Sequence, residues 1–210
     1  MTRKLLTVIL ALACLASTGY ARKQIPKAGQ IADGVYSDTQ HGFSLTLPAG
    51  WDAKIKEAKS ACRLVLTQEK FELPVELEPY RDEIPAPFAR VWLVELSFNT
   101  REFADSLISN SYSSDLKSEI LADLYELNEM MKFEGFVTVD RKGFKAGTLD
   151  VSTWRGSANY TVDLGSRTKK INWSAGYFGV RQGDFSLIVI VSGHKAFDQI
   201  ATMVKSLQWK

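Results

Sequence analysis

The sequence predicts an α+β fold, a central antiparallel sheet flanked by helices in an α/β/α sandwich. Three observations carry this prediction. Short runs with period-two apolar alternation recur along the chain, and turns bearing Gly or Pro separate them. Helical stripes at three- and four-residue spacing gather in two places, residues 100–131 and the C-terminus. Strands that follow one another are joined by connections short enough for hairpins, which segregates strands from helices. A chain of 210 residues, 45% hydrophobic and 11% aromatic, is of single-domain size and holds enough apolar material for a substantial core.

Residues 1–21 read as an export signal. Thr2-Arg3-Lys4 supplies a positive start, Leu5 to Ala13 is an apolar run too short to span a bilayer, and Gly19-Tyr20-Ala21 is a small-x-small cleavage site. The protein is therefore expected outside the cytoplasm, periplasmic or secreted. Cys14 offers a second outcome, lipidation and membrane anchoring, although that signal normally carries Leu where this chain has Ala11. The chain has 26 Lys and Arg against 24 Asp and Glu, and loss of Arg3 and Lys4 with the signal leaves 24 against 24. A neutral chain exerts no bulk attraction on nucleic acid or anionic lipid. Only short basic runs such as Lys169-Lys170 interrupt that balance.

If Cys14 is removed or acylated, Cys62 is the remaining thiol and no intramolecular disulfide forms. Cys62 leads into the apolar run Arg63-Leu64-Val65-Leu66 and reads as a buried small hydrophobe; as a nucleophile it would need His41 or His194 for a base.

Residues 22–34 are polar, with Pro26, Gly29 and Gly34, and read as a flexible leader, so the fold is expected to start near Val35. Phe43, Leu45 and Leu47 share one face of a strand that Pro48 ends and Ala49-Gly50 turns before Trp51. Trp51 to Ala58 and Cys62 to Glu69 are the next strands. Residues 71–88 interleave Pro74, Pro79, Pro85 and Pro87 with Glu72, Glu76, Glu78, Asp82 and Glu83, which predicts an extended, solvated acidic loop. Calcium is the alternative use of such carboxylates, but the EF-hand pattern is missing.

Arg90 to Asn99 reads as a central strand, with Trp92, Val94, Leu96 and Phe98 on one face. Asn99 and Glu102 suit the cap of a helix through Asn110, and Leu116, Ile120, Leu124, Leu127 and Met131 stripe a second helix from Ser114. Phe133 to Asp140 and Thr148 to Arg155 are predicted to pair across Arg141-Lys142-Gly143-Phe144. Lys170 to Arg181 should pair with Phe185 to Ser192 across Gln182-Gly183-Asp184. Phe185 to Val191 is apolar at nearly every position, so both of its faces should be covered. Phe197, Ile200, Val204 and Leu207 stripe a closing helix from Lys195.

Tyr36 with Gly42-Phe43-Ser44-Leu45-Thr46-Leu47-Pro48-Ala49-Gly50-Trp51, and the close from Phe197-Asp198-Gln199-Ile200 to Ser206-Leu207-Gln208-Trp209, resemble the opening and closing signatures of PsbP-like domains. That group includes photosystem II extrinsic PsbP proteins and DcrB-type envelope proteins. The resemblance implies one domain over residues 35–210, an α/β/α sandwich around an antiparallel sheet, used for binding or assembly without a shared catalytic centre. The loop at 71–88 and the helical insert at 100–131 look like elaborations on it.

The sequence holds no His-Glu-x-x-His, Cys-x-x-Cys, Gly-x-Ser-x-Gly or phosphate-cradling glycine loop with lysine. Asp38, His41 and His194 would form a metal or acid/base site only if the fold brought them together; otherwise His41 is a turn residue and His194 sits at a helix start. Trp154, Tyr160 and Tyr177 would line a ligand cleft if exposed, or pack in the sheet core. No catalytic, cofactor-binding or metal-binding residue is assigned, and no cofactor is expected. The expected role is an exported, non-catalytic binding or assembly module for an envelope protein partner. A carrier of a small apolar ligand between sheet and helices comes second, and a hydrolase or metal-dependent enzyme using His41, His194 or Cys62 third.

Overall fold

The computed structural model describes residues 25–73, 75–95, 99–109, 131–163 and 168–210. The predicted second helix, from Ser114, lies outside the described residues except for Met131, and so do Leu96, Phe98 and the export segment with Cys14.

Eleven strands form two antiparallel sheets among the described residues. They are β1 Gln30–Ala32, β2 Val35–Asp38, β3 Phe43–Thr46, β4 Asp52–Ile55, β5 Cys62–Thr67, β6 Phe88–Glu95, β7 Met131–Ala146, β8 Leu149–Asp163, β9 Thr168–Gln182, β10 Phe185–Ser192 and β11 Gln208–Trp209. The large sheet has the order β4-β5-β6-β10-β9-β8-β7, and the small one β1-β2-β3-β11. Helix α1 spans Thr100–Ser109, helix α2 spans Ala196–Lys205, and a 3-10 helix covers Val75–Glu83.

Strand β10 lies inside the large sheet between β6 and β9, as its continuous apolar run predicts. Leu187, Val189 and Val191 enter one core, Ile188 and Ile190 the other. The first core lies beneath α2 and the small sheet and takes in Tyr36, Phe43, Leu45 and Trp51; the second lies beneath the 3-10 helix and α1 and takes in Trp92, Phe103, Trp154 and Tyr177. The opening strand thus serves as core and turn: Phe43 and Leu45 are buried, Gly50 has φ +78, and Trp51 Nε1 donates to Gln199 Oε1 on α2 at 2.5 Å. Asn99 caps α1 as its sequence predicts, its Oδ1 accepting the Glu102 amide at 2.8 Å.

The α/β/α sandwich is corrected by this architecture, which is mostly β. The three helices among the described residues have nine or ten residues each, too short to flank strands of 15 and 16 residues. Much of the layer expected to be helical is instead a second sheet, because the N-terminal strands pair with one another and with the C-terminal Gln208–Trp209.

Three local expectations also change. Residues 25–34 carry structure: Ala28 is buried, Lys27 bridges Glu57, and β1 pairs with β2. The acidic stretch is not an extended loop, because Leu73, Leu77 and Ile84, set among its acids and prolines, are buried in the second core and fold it into 3-10 turns that break at Tyr80 after Pro79. The β7–β8 turn falls at Gly147-Thr148. Gly147 has φ +59, a conformation that favours glycine, whereas Gly143 sits within β7 opposite Ser152.

Gly176 of β9 lies directly under α2, where an added Cβ would collide with the Phe197 ring, itself stacked on Phe178 at 4.9 Å. Gly176→Ala is expected to destabilise the fold by about 1–3 kcal/mol through this overpacking, measured as a lowered urea midpoint with unchanged m-value.

Candidate functional site

A buried arginine organises the region where the two sheets meet. The register of β5 against β6 shifts between Cys62 and Leu64, a bulge that leaves Arg63 unpaired in the ladder and inverts the alternation. Cys62 therefore enters the second core, while Leu64 and Leu66 enter the first. Arg63 is 4% exposed. Its Nε and Nη2 donate to Asp38 Oδ2 at 2.9 and 2.8 Å, Nη1 donates to the carbonyls of Ala58 and Ser60 at 2.7 and 3.1 Å, and Nη2 also reaches the Ala28 carbonyl at 3.5 Å. The other Asp38 oxygen accepts the His41 amide and contacts His41 Nδ1, both at 3.1 Å. His41 Nδ1 donates to Asp38 when protonated; bare, it accepts from Arg63 Nη2 at 3.3 Å.

The His41 turn is pinned from the other side by the C-terminus. Trp209 Nε1 donates to the His41 carbonyl at 2.9 Å, and the Lys210 amide to the Gly42 carbonyl at 3.0 Å. Over this hub lies an open groove of about 470 Å³, lined by His41, Lys59, Ser60, Ala61, Arg63, Leu93, Val94, Glu95 and Phe185. The His41 ring meets Phe185 edge-on at 5.3 Å.

The fold brings together Asp38 and His41 but not His194. His194 packs against Trp173 and lines a separate hollow with Glu72 and Lys195, where Lys195, hydrogen-bonded at 2.6 Å, holds the Glu72 carboxyl below its usual range. Cys62 is buried with its thiol 3.8 Å from the Leu64 carbonyl, the small-hydrophobe reading. In the acidic stretch Glu78 is paired with Arg81 at 2.8 Å, and among the described residues no three His, Cys, Asp or Glu gather as metal ligands.

Trp154, Tyr160 and Tyr177 do not line a cleft as exposed aromatics; they are 4%, 0% and 4% exposed and belong to the second core. Tyr160 Oη pairs with Ser192 Oγ at 2.9 Å, and Tyr177 Oη donates to the Thr100 carbonyl at 2.8 Å. On the same sheet face Trp92 Nε1 and Ser186 Oγ are buried without a hydrogen-bond partner among the described residues. Arg63 is the residue that sequence reasoning missed. Its signal was an arginine within the apolar run Cys62 to Leu66, a placement that requires a buried acceptor.

Removing one partner of a buried ion pair leaves the other charge uncompensated. Arg63→Met should cost about 3–5 kcal/mol in urea unfolding, and adding Asp38→Leu should recover a large part of that loss.

Burial also pushes the Tyr160 phenol up from 10.0 to about 12, against a smaller opposite effect of the Ser192 hydrogen bond, and raises Tyr177 and Tyr36 in the same direction. The unfolded chain therefore releases these protons first as pH rises. The stability they contribute is complete below about pH 10 and falls above it, the share of Tyr160 being lost through about pH 12 and amounting to on the order of 1 kcal/mol at about pH 11. Unfolding followed across that range should show this fall, and Tyr160→Phe should make it shallower.

No family model matches the chain, and no curated protein matches it. Among solved structures it is similar to cyanobacterial PsbP (CyanoP) from Synechocystis sp. PCC 6803, with 12% sequence identity over 87% of this chain and 96% of that one and a TM-score of 0.45. A likeness this distant establishes neither a shared fold nor a shared function.

Proposed function

We propose that the chain is an exported, non-catalytic binding or assembly module that holds an envelope protein partner in the groove beside Leu93–Glu95. The observation that carries this reading is the commitment of the charged groups beneath the groove. Both Asp38 oxygens accept hydrogen bonds, and the Arg63 guanidinium is surrounded by acceptors, so these groups fix a surface and are not held ready for chemistry. Phe185 and Leu93 give that surface apolar area, and Lys59 and Glu95 give it a charged rim. Its export rests on the N-terminal segment, with cleavage after Ala21 or lipidation of Cys14 as the two processed forms. Among the described residues no helix is long and apolar enough to cross a membrane.

A photo-crosslinking residue at Lys59 is expected to capture a protein in the host envelope, and Ala61→Trp, which fills the groove, should abolish the adduct. The same probe at Lys142, on the distant β7 strand, should capture none. Equal capture at both positions, or an intact mass showing an unprocessed N-terminus, would overturn the proposal.

A further inference from the structure

The groove runs beside an open strand edge. The Leu93 amide donates to the Ala61 carbonyl at 2.9 Å, so the Leu93 N–H faces the β5 side of β6. Alternate residues of a strand present their backbone groups to the same side, so the Glu95 N–H faces that side too. Strand β5 begins at Cys62, opposite Trp92, and does not reach Glu95. On its other side β6 stays paired with β10 as far as Phe185 opposite Glu95. Among the described residues the last part of β6 is thus held as a strand along one edge and open along the other. Among the described residues nothing pairs with the Glu95 N–H, and Leu93, Val94 and Glu95 line the groove at that point.

Other edges of the large sheet are handled differently. Beyond β4, the segment 26–28 lies alongside 56–58, the Ala28 amide donating to Lys56 and the Ala58 amide to Pro26 at 2.9 and 2.8 Å. Strand β7 carries exposed Asp140, Arg141, Lys142 and Lys145 along its outer end, charges that discourage further pairing. The notch beside Leu93–Glu95 has a buried Leu93 and Val94, and the half-buried Phe185, opposite Glu95 on β10, lines the same groove.

Resting on the proposed function, we infer that the partner enters this groove as an extended segment that adds a short strand to β6, in line with β5. An extended polypeptide is the occupant these groups fit, since it alone supplies a regular row of carbonyls and amides together with a side chain every second residue for the face formed by Phe185 and His41. Both strand directions use the Glu95 N–H as a donor, so this group carries the test.

Random linear peptides displayed on phage are selected against the mature protein, and the enriched peptides are measured against wild type, Glu95→Ala and Glu95→Pro. Glu95→Ala keeps the amide and Glu95→Pro removes it, at a position where the N–H makes no bond among the described residues and the strand is already extended. Glu95→Ala reports the loss of the rim carboxylate alone, and binding should be about tenfold weaker in Glu95→Pro than in Glu95→Ala. Exchange of the Glu95 amide in wild type should slow when peptide is bound, a readout that does not depend on either variant. Failure to enrich any peptide, equal binding to Glu95→Ala and Glu95→Pro, or an unprotected Glu95 amide overturns strand addition. If capture at Lys59 persists alongside such a result, strand addition alone fails; if that capture is also absent, the proposed function fails with it.

Discussion

The Arg63 guanidinium has five N–H groups and almost no access to water, so the chain around it must converge to supply acceptors. They come from Ala28 ahead of the first strand, Asp38 at the end of β2, and Ala58 and Ser60 in the β4–β5 connection. No local rule brings these segments together. Ion pairing in a dry interior is a weak source of net stability, but a satisfied network of this kind penalises arrangements that break it and so fixes one relation of the small sheet to the large one.

Apolar packing supplies what the hub does not. Strand β10 feeds both cores, and α2 closes the first with Phe197, Ile200 and Val204. The C-terminus then returns to the small sheet, where Trp209 lies 5.6 Å from Phe43 and ties down the turn that carries His41. The opening and closing segments, some 160 residues apart in sequence, are neighbours because β11 pairs with β3. The bulge at Arg63 connects these features. By inverting the alternation of β5 it lets one short strand send Cys62 to one core and Leu64 to the other, and it frees Arg63 from the ladder to reach Asp38.

The groove is a by-product of that geometry. Because the connection before β5 folds toward the guanidinium, β5 starts late and β6 extends past it. Among the described residues that sheet edge is uncovered, and it lies beside a carboxylate and guanidinium that are already hydrogen-bonded to one another and to the backbone.

Several elements were legible in the sequence, since period-two alternation at Phe43–Thr46, continuous apolarity at Phe185–Ser192 and the Asn99 cap are local consequences of local chemistry. Where local chemistry was ambiguous, tertiary packing decided. Gly143 and Gly147 are both plausible turn residues, and the pairing of β8 with β9 and β7 selected the second. Leu73, Leu77 and Ile84 looked subordinate to their acidic neighbours until a sheet face was available to bury them. The sequence by itself determined the strands at Phe43–Thr46, Cys62–Thr67 and Phe185–Ser192, the closing helix and the buried cysteine. Only the tertiary structure decided that a second sheet replaces much of the expected helical layer, that Asp38 meets His41 and Arg63 while His194 lies elsewhere, and that β6 extends past the start of β5. These are long-range pairings, and the free energy that selects them comes from burial and hydrogen-bond satisfaction between segments whose own composition does not name their partners.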